Sequence, residues 1–339
     1  MSGRTGGVAL VAAVAISLFM GPTSGSGRRA VPDRIAFVRS LESRSVIVTI
    51  RPDGGEETRV SHARGWSTDP HLSSAGTRLA YQRGLRVYVV DPNGSDRRLV
   101  ARNAFDPTLT PSGRGLLFQR YRVDSDVAIF RINVDGTGRR ELTEGSINVE
   151  PAWSPDGTRI VYVRDLDLPQ LWVMRRDGSG HRRLTRASGK EDFDPEFSPD
   201  GRHVLFRRIK AYGSRCLYRG DVFVVRADGS DPARNLTRTC RRSETSAHWS
   251  PDGRRVVFVK RTKAHGLQIY VMHLGGTGVT RLTDGPAPNH SPAWSPDGGQ
   301  IAFISNRDGN KELYVMNVDG GSQTRLTSTP EAEESSPAW

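Results

Sequence analysis

The chain has 339 residues, 36% hydrophobic and 25% charged, with 36 glycines and 20 prolines. Such a composition excludes a disordered or collagen-like polymer and suits a folded, turn-rich protein. The net charge of +12 comes from 44 arginines and five lysines. These are scattered along the chain, which speaks to solubility and loose attraction to polyanions and marks out no specific nucleic-acid site.

In chain order, Arg4 precedes an apolar run of thirteen residues, Val8 to Met20, and small or polar residues follow from Gly21 to Gly27. A membrane-spanning helix needs about 18–20 apolar residues, so residues 1–30 read as an export signal cleaved between Gly25 and Ala30. An uncleaved anchor is the alternative. The mature chain, 31–339, is then expected outside the cytoplasm, extracellular or periplasmic, without a membrane span and as a monomer.

The mature chain opens on an apolar strand, Ile35 to Val38, followed by a second at Val46 to Ile50 and a short third at Thr58 to Ser61. From there a repeat sets in. W-S-P-D-G recurs at Trp153, Trp249 and Trp294, F-S-P-D-G stands at Phe197, and weaker copies begin at Leu72 and Leu109. In each copy the position seven residues on (Leu79, Leu116, Ile160, Val204, Val256, Ile301) opens an apolar run. A constant offset is what a strand, tight turn and strand demand, because a slip of one residue would exchange the faces. Within the turn, Pro presets φ, Asp bonds its own backbone and Gly takes the left-handed position. A third strand, a D-G turn (Asp135, Asp177, Asp228, Asp319) and a short fourth strand complete a unit of about 44 residues, the spacing of propeller blades.

The first blade lacks its innermost strand, and the C-terminal Ser336-Pro337-Ala338-Trp339 is such a strand without a blade. The expected fold is therefore all-β: one seven-bladed propeller of four-stranded antiparallel blades, closed by the C-terminal strand joining the N-terminal blade. The recurring tryptophans are expected to fill the core between blades.

The unit Pro292 to Thr327, PAWSPDGGQIAFISNRDGNKELYVMNVDGGSQTRLT, resembles the repeats of the TolB-type β-propellers. The resemblance covers 31–339 and implies a non-enzymatic binding role outside the cytoplasm. Similar propellers gate prolyl-oligopeptidase-like enzymes, but no G-x-S-x-G elbow occurs here, and no catalytic residue is assigned.

Candidate sites are departures from the repeat in loops at one end of the ring, around the channel mouth. In the fifth blade a long loop and its neighbour each carry one of the two cysteines, Cys216 and Cys240, which in an exported protein read as a disulfide. Around them stand Arg208, Lys210, Tyr212, Arg215, Tyr218, Arg219, Arg241 and Arg242, continued by Lys260, Arg261 and Lys263. Guanidinium forks interleaved with tyrosine suit an anionic partner, and an arginine-rich solvated loop is the plainer alternative.

The residue just before each inner strand is Asp69, Asp106, Glu150 and Asp194 in four consecutive blades, then Ser246, Ser291 and Ser336. Acids converging on an axis suit a hard cation such as Ca²⁺, and capping of a local turn is the plainer explanation. His71, His248 and His290 lie near the same face, the weak candidates for a metal. Two functions follow: a binding scaffold that docks a protein or an anionic cell-envelope polymer on its channel face without a cofactor, or a metal-dependent, polyuronate lyase-like enzyme acting on carbohydrate.

Overall fold

The computed structural model describes residues 34–122, 126–186, 189–210, 220–239 and 244–339, the side chain of Lys210 excepted. Every described regular element is a β-strand. No described helix is long and apolar enough to cross a membrane.

The strands form six sheets, which corrects the expectation of seven uniform four-stranded blades. Five sheets have four strands. The first joins Glu333–Ala338, Ile35–Leu41, Arg44–Ile50 and Thr58–Arg59, and the second runs from Ser67–Leu72 to Arg98–Arg102. The fourth, fifth and sixth begin at Lys190–Phe197, Glu244–Trp249 and Asn289–Trp294. The third sheet has eight strands, Phe105–Leu109 to Arg182–Arg183, because two sequence repeats fuse. The weld is a single parallel bridge, Val127↔Ile147, between Val127–Asn133 and the inner strand Ile147–Trp153. A like bridge, Ser45↔Trp66, links the first and second sheets without merging them.

The offset of seven appears directly as register. Leu72↔Leu79, Leu109↔Leu116, Trp153↔Ile160, Phe197↔Val204, Trp249↔Val256 and Trp294↔Ile301 are all cross-strand partners. In the turn between Trp153 and Ile160, the Asp156 carboxylate accepts from Ser154 Oγ and from the Thr158 N–H, and Gly157 takes φ +66°. Those bonds hold the Asp156 carboxyl below its usual range, although burial opposes them.

Trp249 and Trp294 are buried in cores shared by neighbouring sheets, and Trp153 is buried where the two halves of the eight-stranded sheet meet. Ile35, Phe37, Val46 and Val48 of the first sheet share a core with Ala302, Ile304 and Leu313 of the sixth. The innermost strands follow one another around an axis, the fused sheet supplying two of them. Glu333–Ala338 pairs antiparallel with Ile35–Leu41 and lies against Asn289–Trp294 on one side and Ser67–Leu72 on the other. That pairing covers an edge that would otherwise present free backbone donors and acceptors.

Candidate functional site

Each inner strand carries one extra residue relative to its partner. In Ile147–Trp153, for example, the register moves from Val149↔Val163 to Ala152↔Val161. The bulge residue takes the left-handed region in every repeat: Asp69, Asp106, Glu150, Asp194, Ser246, Ser291 and Ser336 have φ between 48° and 54°. A bulge redirects a side chain out of the alternation of the strand, and here it singles out the residue expected at the channel mouth.

The four acids act on one another in sequence around the ring. Removal from bulk water, then the Asp69 charge, push Asp106 up to about 6, against a hydrogen bond donated by Gln119. Glu150 is pushed up to about 7, first by desolvation and then by Asp194, with Asp106 adding to it. Glu150 Oε2 accepts the backbone N–H of Asp194 at 2.6 Å, and Asp194 Oδ2 accepts Arg207 Nε at 2.7 Å. The acids thus occupy one arc, and the serines of the other repeats occupy the rest.

The histidines are dispersed. His71 Nδ1 accepts the backbone N–H of Leu109 at 3.2 Å, and burial lowers its pKa to about 4, so the ring is neutral. His248 Nδ1 lies 2.9 Å from Glu196 Oε2; burial lowers its pKa, but that bond and the Glu196 and Asp194 charges outweigh it and raise it overall. His290 Nδ1 lies 3.0 Å from Ser291 Oγ, and burial and Lys311 lower its pKa. Among the described residues no group of three His, Cys, Asp or Glu side chains is arranged to hold a metal ion.

Of the basic candidates, Arg208 is buried and gives Nε and Nη2 to the fully buried carboxylate of Asp192 at 2.6 and 2.8 Å. Lys260 lies 3.9 Å from Glu244 and 5.6 Å from the Tyr270 ring centroid, whereas Lys263 is exposed. Tyr212, Arg215, Tyr218, Arg219, Arg241, Arg242, Cys216 and Cys240 lie outside the described residues, as do the side chain of Lys210 and the segment 1–30.

A feature that sequence reading missed is apolar. Trp66 (55% exposed), Leu85, Tyr121, Ile147 and Leu166 are large hydrophobic residues open to solvent. All five stand where the inner strands begin or where the second and third strands of a repeat connect, in the three consecutive repeats that carry Asp69, Asp106 and Glu150. The alternation rule could have flagged Tyr121 and Ile147, which lie just outside the buried stretch of their strands.

A family model described as the TolB β-propeller domain matches residues 26–222 and 211–339. A TolB homologue of Chlorobium luteolum is 31% identical over 148 residues, 41% of this chain and 33% of that protein. The chain thus spans about a third of that relative. Among solved structures, TolB from Acinetobacter baumannii superposes with a TM-score of 0.60 at 19% identity, covering 91% of this chain and 66% of that one. An oligogalacturonate lyase in complex with manganese gives 0.69 at 15% identity, covering 84% and 85%. Both likenesses are of fold.

Proposed function

The chain belongs to the TolB β-propeller family, and from that premise we propose that it is an exported, non-enzymatic scaffold that docks a protein on the channel face. Periplasmic or extracellular placement accords with the family. The observation that carries the reading is the arc of Trp66, Leu85, Tyr121, Ile147 and Leu166, five exposed large hydrophobics at one end of three adjoining repeats. Isolated exposed apolar residues are ordinary, but an arc rimmed by polar groups marks an interaction surface. Trp and Tyr are the residues that most often anchor interfaces. The acids beside the arc favour a partner segment with basic side chains among its apolar ones.

The test is affinity capture from an envelope fraction with the wild-type chain and with Trp66→Glu/Tyr121→Glu. Both positions are exposed, so the fold is retained. A protein held by the wild type and lost by the variant supports the reading. Equal retention by both, or capture of a polymer alone, overturns it.

A further inference from the structure

A buried ion pair recurs where the inner strand of a repeat faces the next strand. Asp192 pairs in register with Arg208, Glu244 with Lys260, and Glu334 contacts its register partner Arg39 through Nε at 2.8 Å. In the second half of the eight-stranded sheet the same register place joins Asn148 to Arg164. The cation is kept there and its carboxylate is replaced by an amide.

The Asn148 amide nitrogen donates to the carbonyls of Val127, Gly145 and Ser146 at 3.3, 3.2 and 3.1 Å. Its buried oxygen has no hydrogen-bond partner, and neither has the buried Nε of Arg164. In the preceding repeat and in the second sheet the equivalent residues are Ala104 and Ser67. Ser67 pairs with Arg83, whose Nε caps the Arg64 carbonyl at 3.0 Å. Arg164 instead stands at the edge of an open cleft.

That cleft has a volume of roughly 360 Å³ and also takes in Leu166, Leu168, Trp172, Arg183 and Arg186. The Arg164 guanidinium lies 5.3 Å from the Trp172 ring centroid, and Trp172 is the register partner of Arg183. Among the described residues none of the three arginines is in an ion pair, although Arg164 Nη2 reaches the Glu144 carbonyl at 3.3 Å and Arg183 Nε the Thr185 carbonyl at 2.8 Å. Three guanidiniums therefore face a single carboxylate on the rim, Asp167.

We propose that this cleft binds a small organic carboxylate, whose charged end pairs with the guanidiniums as a protein carboxylate pairs with its basic partner in three of the other repeats. Its apolar body lies against Trp172 and the two leucines. A planar fork beside an aromatic wall suits a carboxylate joined to a flat or apolar group, and the volume fits a small ligand. The site shares Leu166 with the proposed docking arc, but its charged contacts come from arginines outside that arc.

The experiment is calorimetric titration of the exported chain with phenylacetate and, as the neutral isostere, phenylacetamide. Phenylacetate binds and phenylacetamide does not. Arg183→Gln/Arg186→Gln lowers the affinity by about tenfold or more, the effect of losing charge-assisted hydrogen bonds. Asn148→Asp restores the internal carboxylate and lowers it comparably, with the melting temperature held or raised. Equal binding of acid and amide, no binding of either, or full affinity in both variants overturns the proposal. Because Arg183 and Arg186 are exposed, their variant folds even where Asn148→Asp does not. Loss of partner capture by the Trp66/Tyr121 variant tests the docking reading separately.

Discussion

Asp192→Asn turns the best-paired repeat into a copy of its Asn148 counterpart, now without a cleft. Asp192 is fully buried and Arg208 is 9% exposed, clamped between the Phe206 and Phe223 rings at 5.1 and 4.9 Å. The amide keeps the shape and removes the charge, so a buried guanidinium loses its counter-ion and two charge-assisted hydrogen bonds. Breaking a buried pair from one side costs about 3–5 kcal/mol. At about 2 °C per kcal/mol for a domain of this size, the melting temperature drops by about 6–10 °C. The companion Asp192→Asn/Arg208→Met removes both charges and recovers most of the loss, since apolar replacement of a whole buried pair is often neutral. Guanidinium unfolding followed by circular dichroism reads both variants. A single variant within 1 kcal/mol of wild type would refute the reasoning, because the pair would then behave like a solvated surface bridge.

Asp106 and Glu150 have folded-state pKa values raised to about 6 and about 7. The folded chain therefore holds more protons than the unfolded one between about pH 4 and 7, and stability falls as pH rises through that window. The melting temperature is expected to climb on acidification from pH 8 to 5, and Asp106→Asn/Glu150→Gln to flatten the slope; parallel profiles would dismiss the coupling. Truncation before Glu333 removes the strand paired with Ile35–Leu41 and the carboxylate held by Arg39. Loss of cooperative melting and concentration-dependent association are expected by calorimetry and light scattering, and an unchanged melt would show that the first sheet does not need its fourth strand.

Strand order and register were legible because they rest on local chemistry. A Pro-Asp-Gly turn fixes a hairpin wherever it stands, and an offset of seven residues leaves no freedom in pairing Trp153 with Ile160. The fusion of two repeats was not legible, since it hangs on one bridge, Val127↔Ile147, set by how a connecting loop seats one strand beside another. Arg208 illustrates the same limit at the site. Its neighbours in sequence are basic and aromatic, which suggests a surface patch. The residue that neutralises it is Asp192, sixteen positions away and placed opposite only after the extra residue of the bulge has been counted.

That bulge also bears on what the acids are for. Asp69, Asp106, Glu150 and Asp194 share their backbone geometry with Ser246, Ser291 and Ser336, all at φ between 48° and 54°. The geometry therefore does not require a carboxylate, and Asp is only somewhat more tolerant of the left-handed region than other side chains. Nor does stability favour the acids, since Asp106 and Glu150 are raised in pKa by desolvation and by their acidic neighbours. Groups that neither the local backbone nor the folded state calls for are the ones to assign to binding. Among the described residues, five of the six exposed large apolar side chains gather in the same repeats, from Trp66 to Leu166, and the serine repeats carry only Val279, between the third and fourth strands of its sheet. A partner that pairs basic with apolar side chains accounts for both features at once, whereas an anionic polymer would meet repulsion from the acids and gain nothing from the hydrophobic arc.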